Sequence, residues 1–327
     1  GRTHGPPVSP YTEFPANLVI DGQPYNNVAL RKKGSYASAD QYKPSLKVDT
    51  DEYVGGQLIY GLENLTLNNA RQDPALVKQC LGYALFAAAR LPSARCNFAH
   101  VTVNGQDLGI YVYVVEVEAA YLARYFANTT GNVYEGTISD FRPTWENTFE
   151  KKTNEENPDR SDLAAISAAL ALPDDQLLAA LEPLVDLDEF YTYWAVEGII
   201  GHWDGYQSNR NNFYVYFDPA DGGRLHFLPW GVVGLFADGN PFTGKLNSPA
   251  PVVFPRGMLA RRLYLHPTSR AAFLARLQSL MWAVNESIVG LRAASDIKTG
   301  DFSVQGGKKI SANAIAGRPS ECRTRPP

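Results

Sequence analysis

Apolar and polar positions alternate in short runs over the first hundred-odd residues. This two-residue period predicts strands at residues 18–20, 28–31, 45–48 and 57–62, each closed by Gly, Pro, Asn or Asp. One segment departs from that rhythm. Between residues 73 and 90, Leu76, Val77, Cys80, Leu81, Ala84, Leu85 and Ala88 recur at helical spacing, with Asp73-Pro74 at the N-cap and first helical position and Pro92 soon after the end. A strand pair at 99–103 and 109–115 follows, joined through Asn104-Gly105, a strong hairpin signal. After residue 120 the period becomes helical at 119–126, 162–172, 174–184, 187–203, 257–264 and 269–294. Within this half, residues 213–217 and 225–228 form a predicted hairpin around the turn from Asp218 to Gly223. The fold class is α+β, with no internal repeat and no low-complexity segment.

Composition narrows the picture. The 327 residues are 45% hydrophobic and 20% charged, and 18 Tyr and 15 Phe are enough to fill a sizeable core. The net charge of −4 lacks the basic excess with which proteins displace counterions from phosphate backbones, so nucleic acid is not an expected partner. No apolar run reaches the roughly 18 residues of a membrane span. The chain begins at Gly1 with no initiator Met or signal-like stretch and reads as mature or trimmed. Cys80, Cys96 and Cys322 match no zinc spacing and allow either one disulfide with a leftover thiol or three buried thiols. The Asn-x-Ser/Thr triplets at Asn64, Asn128 and Asn285 are glycosylation acceptors only in a secretory host.

The most informative stretch is His202-Trp203-Asp204-Gly205-Tyr206-Gln207-Ser208-Asn209. In a kinase catalytic loop an Asp meets the substrate hydroxyl and an Asn five positions later holds a metal ion, so one short loop delivers base and ligand. Asp204 and Asn209 have this spacing, between a helix ending near Trp203 and a hairpin starting at Phe213, where a kinase C-lobe places its loop. The competing reading is an ordinary polar turn. Further upstream, Arg31-Lys32-Lys33-Gly34-Ser35 lies between two strands and is followed by Lys43-Pro44-Ser45-Leu46-Lys47. A turn of small residues lets backbone N–H groups approach phosphates, and a lysine on the next strand can pair with their oxygens. Lys43 and Lys47 both fit, and a solvated basic strand edge is the alternative.

Glycine-rich dinucleotide, Walker, nucleophile-elbow and zincin motifs are all absent. The five histidines are scattered and read as structural or exposed. Asp49-Thr50-Asp51 and Asp186-Leu187-Asp188 start like calcium loops without the glycine at position six, which leaves turn and N-cap roles.

These motifs, with Asp73 before its helix, Val103-Asn104-Gly105, Gly131-Asn132-Val133-Tyr134-Glu135, Asn211-Asn212-Phe213-Tyr214 and Leu228-Pro229-Trp230-Gly231, resemble those of the spore coat protein H (CotH) kinase family. The resemblance spans most of the chain. It implies one atypical, bilobal protein-kinase-like domain over residues 1–327, with an N-lobe to about residue 117 and a C-lobe beyond it. It implies ATP with Mg2+ or Mn2+ as cofactors, transfer of the γ-phosphate to Ser/Thr of an exported or surface protein, and secretion. By the same resemblance Asp204 is the catalytic residue and Asn209 a metal ligand. Gly34 and Ser35 belong to the loop over the phosphates, Lys43 or Lys47 contacts phosphate, and Val115, Glu116 and Val117 form the hinge that meets adenine.

One position departs from the family. Relatives carry a metal-binding aspartate one or three residues after the tryptophan, where this chain has Gly231 and Val233. Losing the ion's strongest ligand lowers catalysis severely. A natural pseudokinase, a deliberate replacement and rescue by Asp238 remain as explanations. The helix after Asp73 also has no central glutamate to pair with a phosphate lysine. The functional alternatives are nucleotidyl transfer, a pseudokinase or adhesion module without catalysis, and a sugar-binding protein using Trp203, Tyr206, Phe213, Tyr214 and Tyr216.

Overall fold

The computed structural model describes residues 11–34, 36–236 and 252–294, without the side chains of residues 36, 37 and 283–294. Ser35, Asp238 and Cys322, and the side chain of Asn285, lie outside the described part. Six strands form a first antiparallel sheet: β1 (Phe14–Ile20), β2 (Gln23–Lys32), β3 (Leu46–Asp49), β4 (Asn64–Asn68), β5 (Cys96–Val103) and β6 (Gln106–Val114), in the order β1-β2-β3-β4-β6-β5. A single helix, α1 (Lys78–Ala88), enters between β4 and β5. Register places Arg31 opposite Lys47, Lys47 opposite Thr66 and Thr66 opposite Val114. Directly opposed residues share a face, so this row of side chains crosses one side of the sheet.

The second half brings α2 (Ala119–Tyr125), β7 (Val133–Gly136), β8 (Phe149–Lys151), α3 (Ser161–Leu170), α4 (Asp174–Leu181), α5 (Leu187–Ile199), β9 (Phe213–Asp218), β10 (Arg224–Pro229), α6 (Met258–Leu265) and α7 (Pro267–Ala294). Its four strands pair antiparallel in the order β10-β9-β7-β8. One core is continuous from Tyr83 and Phe86 on α1, through Val112 and Val114, to the helices of the second half. Its centre is aromatic: the Tyr206 ring lies 5.0 Å from Phe213 and 4.9 Å from Phe227, and Trp194 stacks on Phe273 at 3.6 Å. A smaller cluster of Val28, Val48, Ile59 and Leu65 fills the other face of the first sheet. Among the described residues no helix is long and apolar enough to cross a membrane.

Several expectations shift. Residues 57–62 are a tight turn, with Tyr60 and Gly61 at φ +54° and +80° and Ile59 and Leu62 exchanging hydrogen bonds across it. The strand comes just after, as β4. The Thr50 hydroxyl, set against the carbonyls of Gln57 and Glu63, holds that turn. Helix α1 starts at Lys78 rather than at Pro74, because Leu76 is left-handed at φ +61° and Asp73 caps the N–H of Lys78 across the break. Helix α5 stops at Ile199, four residues before Trp203. The pair β7 and β8 lies between the predicted helices at 119–126 and 162–172, where the pattern predicts no element; Glu135 and Lys151 sit on strands too short to show a period. The calcium-like triplets do serve as turn and cap, with Asp49 accepting from Asp51 and Glu52 and Asp186 from Glu189.

Cys80 on α1 and Cys96 on β5 form a disulfide.

Candidate functional site

The loop from Gly201 to Asn212 is held from below by a carboxylate that sequence inspection did not single out. Glu197, on the last turn of α5, is fully buried, and its oxygens accept from the backbone N–H groups of Tyr206 and Gln207 and from the Tyr193 hydroxyl, all at 3.0 Å. Gly205 closes over it: a Cβ there would lie 2.1 Å from Glu197 Oε1, so no larger residue fits without displacing the anchor. A polar residue at a core position of an amphipathic helix was the available signal.

Above this anchor Asp204 is half-buried and accepts from three side-chain amides, Asn209 at 2.5 Å, Asn211 at 3.2 Å and Asn212 at 2.7 Å. Burial raises the Asp204 carboxyl above its ordinary value, against the amides and nearby His202. The structure therefore brings Asp204 and Asn209 together. With its amide nitrogen on Asp204, Asn209 keeps its oxygen as an acceptor.

The second group lies on the first sheet. Lys47 pairs with Glu116 at 3.0 Å, and the Thr66 hydroxyl donates to the same carboxylate. Lys33 reaches Thr66 at 3.5 Å and places its ammonium 5.4 Å over the Trp230 ring. Burial lowers Lys33, with Glu116 and Glu135 opposing. Burial pushes Glu116 up, but Lys47, Lys33 and Thr66 outweigh it and hold the carboxyl below its usual range. Lys43, by contrast, lies over Tyr111 and donates to the carbonyl of Ile110 at 2.8 Å, away from the pair. The carboxylate that pairs with Lys47 thus lies in residues 115–117 and not on α1. In that segment Val117 is buried, the N–H of Val115 donates to Arg95 and the carbonyl of Glu116 accepts from Glu118. Gly34 stands exposed at the end of β2, at φ +75°.

Trp230 and Gly231 join the two groups. Trp230 carries Lys33 on its face and meets Tyr214 edge-on at 5.4 Å, while Gly231 stands against the Asn212 side chain. Glu135 and Lys152, 3.8 Å apart, face this region from β7 and the end of β8. No carboxylate occupies positions 231–233, and among the described residues of the 201–212 loop the candidate donors for a divalent ion are the Asp204 carboxylate and the Asn209 amide oxygen. A separate group, Asp186, Asp221 and His226, is close enough to ligate an ion, but Arg224 already pairs with Asp221 at 2.7 Å and Asp186 at 3.3 Å. Of the five aromatics in the sugar-binding reading, Tyr206, Phe213, Tyr214 and Tyr216 are core residues and Trp203 is half-buried.

The profile of the family described as CotH kinase protein matches residues 30–286, and that span contains both groups. The chain belongs to the CotH family. It is 22% identical over 250 residues to Invasin CotH7 of Rhizopus delemar, covering 72% of this chain and 42% of that protein. It is 21% identical over 229 residues to Invasin CotH3 of the same fungus, covering 63% and 38%. It is 24% identical over 181 residues to Inner spore coat protein H of Bacillus subtilis, covering 52% and 49%. The chain thus spans less than half the length of each of these CotH relatives.

Proposed function

We propose that this CotH domain is an atypical, bilobal kinase-like fold that binds ATP between its two sheets. In its metal-competent form it transfers the γ-phosphate to a Ser or Thr hydroxyl of an exported or surface protein. The observation that carries the reading is the meeting of the Lys47–Glu116 pair, with Lys33, and the Asp204–Asn209 loop at Trp230 and Gly231. In that arrangement Lys47 and Lys33 offer positive charge to phosphate oxygens. Asp204, with its carboxyl raised, accepts the proton of the attacking hydroxyl as the new O–P bond forms and the bond to the ADP leaving oxygen breaks. Bound Mg2+ or Mn2+ would supply charge neutralisation on the phosphates, with Asn209 as one ligand. Because Gly231 and Val233 carry no carboxylate, transfer by this chain is expected to be very slow, and nucleotide binding is the activity to measure first.

Calorimetric titration with ATP, with and without Mg2+ or Mn2+, tests this beside Val233→Asp. Tighter metal–ATP binding by the aspartate variant is expected, and an absence of ATP binding by both proteins refutes the reading. A second reading, a coat or adhesion module without catalysis, draws on the missing carboxylates and on relatives named invasin and spore coat protein. It expects no nucleotide affinity under any metal condition. A surface or coat location is common to both readings.

A further inference from the structure

Ser38, Asn68, Asn69, Asp73, Gln79 and Val233 line a cavity of about 30 Å3, shared by the end of β4, the loop before α1 and the chain after Trp230. That is room for one water or one small cation. Asp73 is only 4% exposed. One of its oxygens accepts from the N–H of Lys78 at 2.7 Å, and the other, Oδ1, has no hydrogen-bond partner. A buried carboxylate oxygen that has given up its hydration without gaining a donor is costly, and native structures normally place a water, an ion or a ligand there.

The neighbours limit what that ligand is. Asn68 donates its amide nitrogen to Gln79 at 3.2 Å, which leaves the Asn68 oxygen as an acceptor. Arg71 also lines the cavity, but its guanidinium pairs with Asp40 at 3.3 Å and leaves Asp73 Oδ1 unmet. One carboxylate among neutral oxygens holds a free divalent ion weakly. Mg2+, however, is ordinarily held by one or two carboxylates together with the oxygens of a bound phosphate. We propose that Asp73 is the carboxylate that receives the divalent cation carried by a nucleoside triphosphate, in place of the aspartate absent at Gly231 and Val233, with Arg71 taking a phosphate oxygen beside it. This rests on the nucleotide-binding reading above.

The test compares ATP affinity in EDTA and in Mg2+ for the unmodified chain and for Asp73→Asn. The unmodified chain is expected to bind ATP at least tenfold more tightly with Mg2+, and Asp73→Asn to lose that gain. A Mg2+ gain that is missing from the unmodified chain, or that survives intact in the variant, overturns the assignment. No ATP binding by the unmodified chain in either condition is a different result, because it removes the nucleotide reading itself and this inference with it. Asp73 also caps Lys78, so the variant is checked for folding, and Mn2+–ATP added to the unmodified protein gives an independent reading. Paramagnetic broadening is expected first at the amides of residues 68–73. Broadening centred on Asp204 and Asn209 with residues 68–73 spared overturns the assignment.

Discussion

A Cβ on Gly231 would lie 2.6 Å from Cγ and Oδ1 of Asn212, the residue whose amide donates to Asp204 at 2.7 Å. The chain just after Trp230 is therefore sterically coupled to the loop that holds the candidate base. Of the two positions at which the family resemblance implies a metal-binding aspartate, only one remains open here. Gly231 sits at φ +55° with no room for a side chain, whereas Val233 is half-buried at a small polar cavity. Gly231→Asp is expected to cost about 1–3 kcal/mol, the usual range for a strained backbone position. Val233→Asp adds no such backbone strain, and its urea midpoint is expected to lie above that of Gly231→Asp.

The two candidate phosphate lysines separate by their partners. Lys47→Met is expected to weaken ATP binding at least tenfold and to lower stability, because it leaves Glu116 without its main counter-charge. Lys43→Met should leave the ATP affinity within about twofold, since Lys43 is occupied by Tyr111 and the Ile110 carbonyl. Parallel titrations of the two variants check this, and an equal loss in both contradicts the assignment of Lys47.

Glu118, between β6 and α2, gives a pH signature. Burial pushes its carboxyl up to about 7, with Glu116 and Glu63 adding to the rise and Asn64 opposing it. Its Oε1 is buried without a partner. A carboxyl raised on folding binds its proton more tightly in the folded state. Its contribution is therefore fully present below the unfolded value of 4.5 and is lost as pH rises through about 7. Glu118→Gln should be more stable than the unmodified chain at about pH 8 and indistinguishable from it near pH 4, as read by urea denaturation. Glu116 works in the opposite sense: its depressed carboxyl contributes stability above its unfolded value, and that contribution is lost as pH falls through the folded value.

The Cys80–Cys96 bond ties α1 to an edge strand across a sequence separation of 16. Closing a loop of that length is worth about 3 kcal/mol in the chain-entropy account. Replacing both cysteines by alanine should lower the denaturation midpoint by a corresponding amount, and reducing agent should lower the unmodified midpoint but not that of the double variant.

The sequence alone determined the parts of this protein that depend on local period and turn chemistry. The hairpin at Asn104-Gly105, the pair of strands after Phe213, the helices after residue 120 and the spacing of Asp204 and Asn209 were legible because each is fixed within a dozen residues. The start of α1 was not, because Asp73 reaches across a left-handed Leu76 to cap Lys78, and the strand expected at 57–62 gave way to a turn held by Thr50. What only the tertiary structure decided was which distant groups meet. Glu116, rather than a residue of α1, partners Lys47; Glu197 anchors the loop; and Gly231 meets Asn212. Charge pairing and steric exclusion act over a few ångströms in space whatever the separation along the chain, so no period or spacing in the sequence records them.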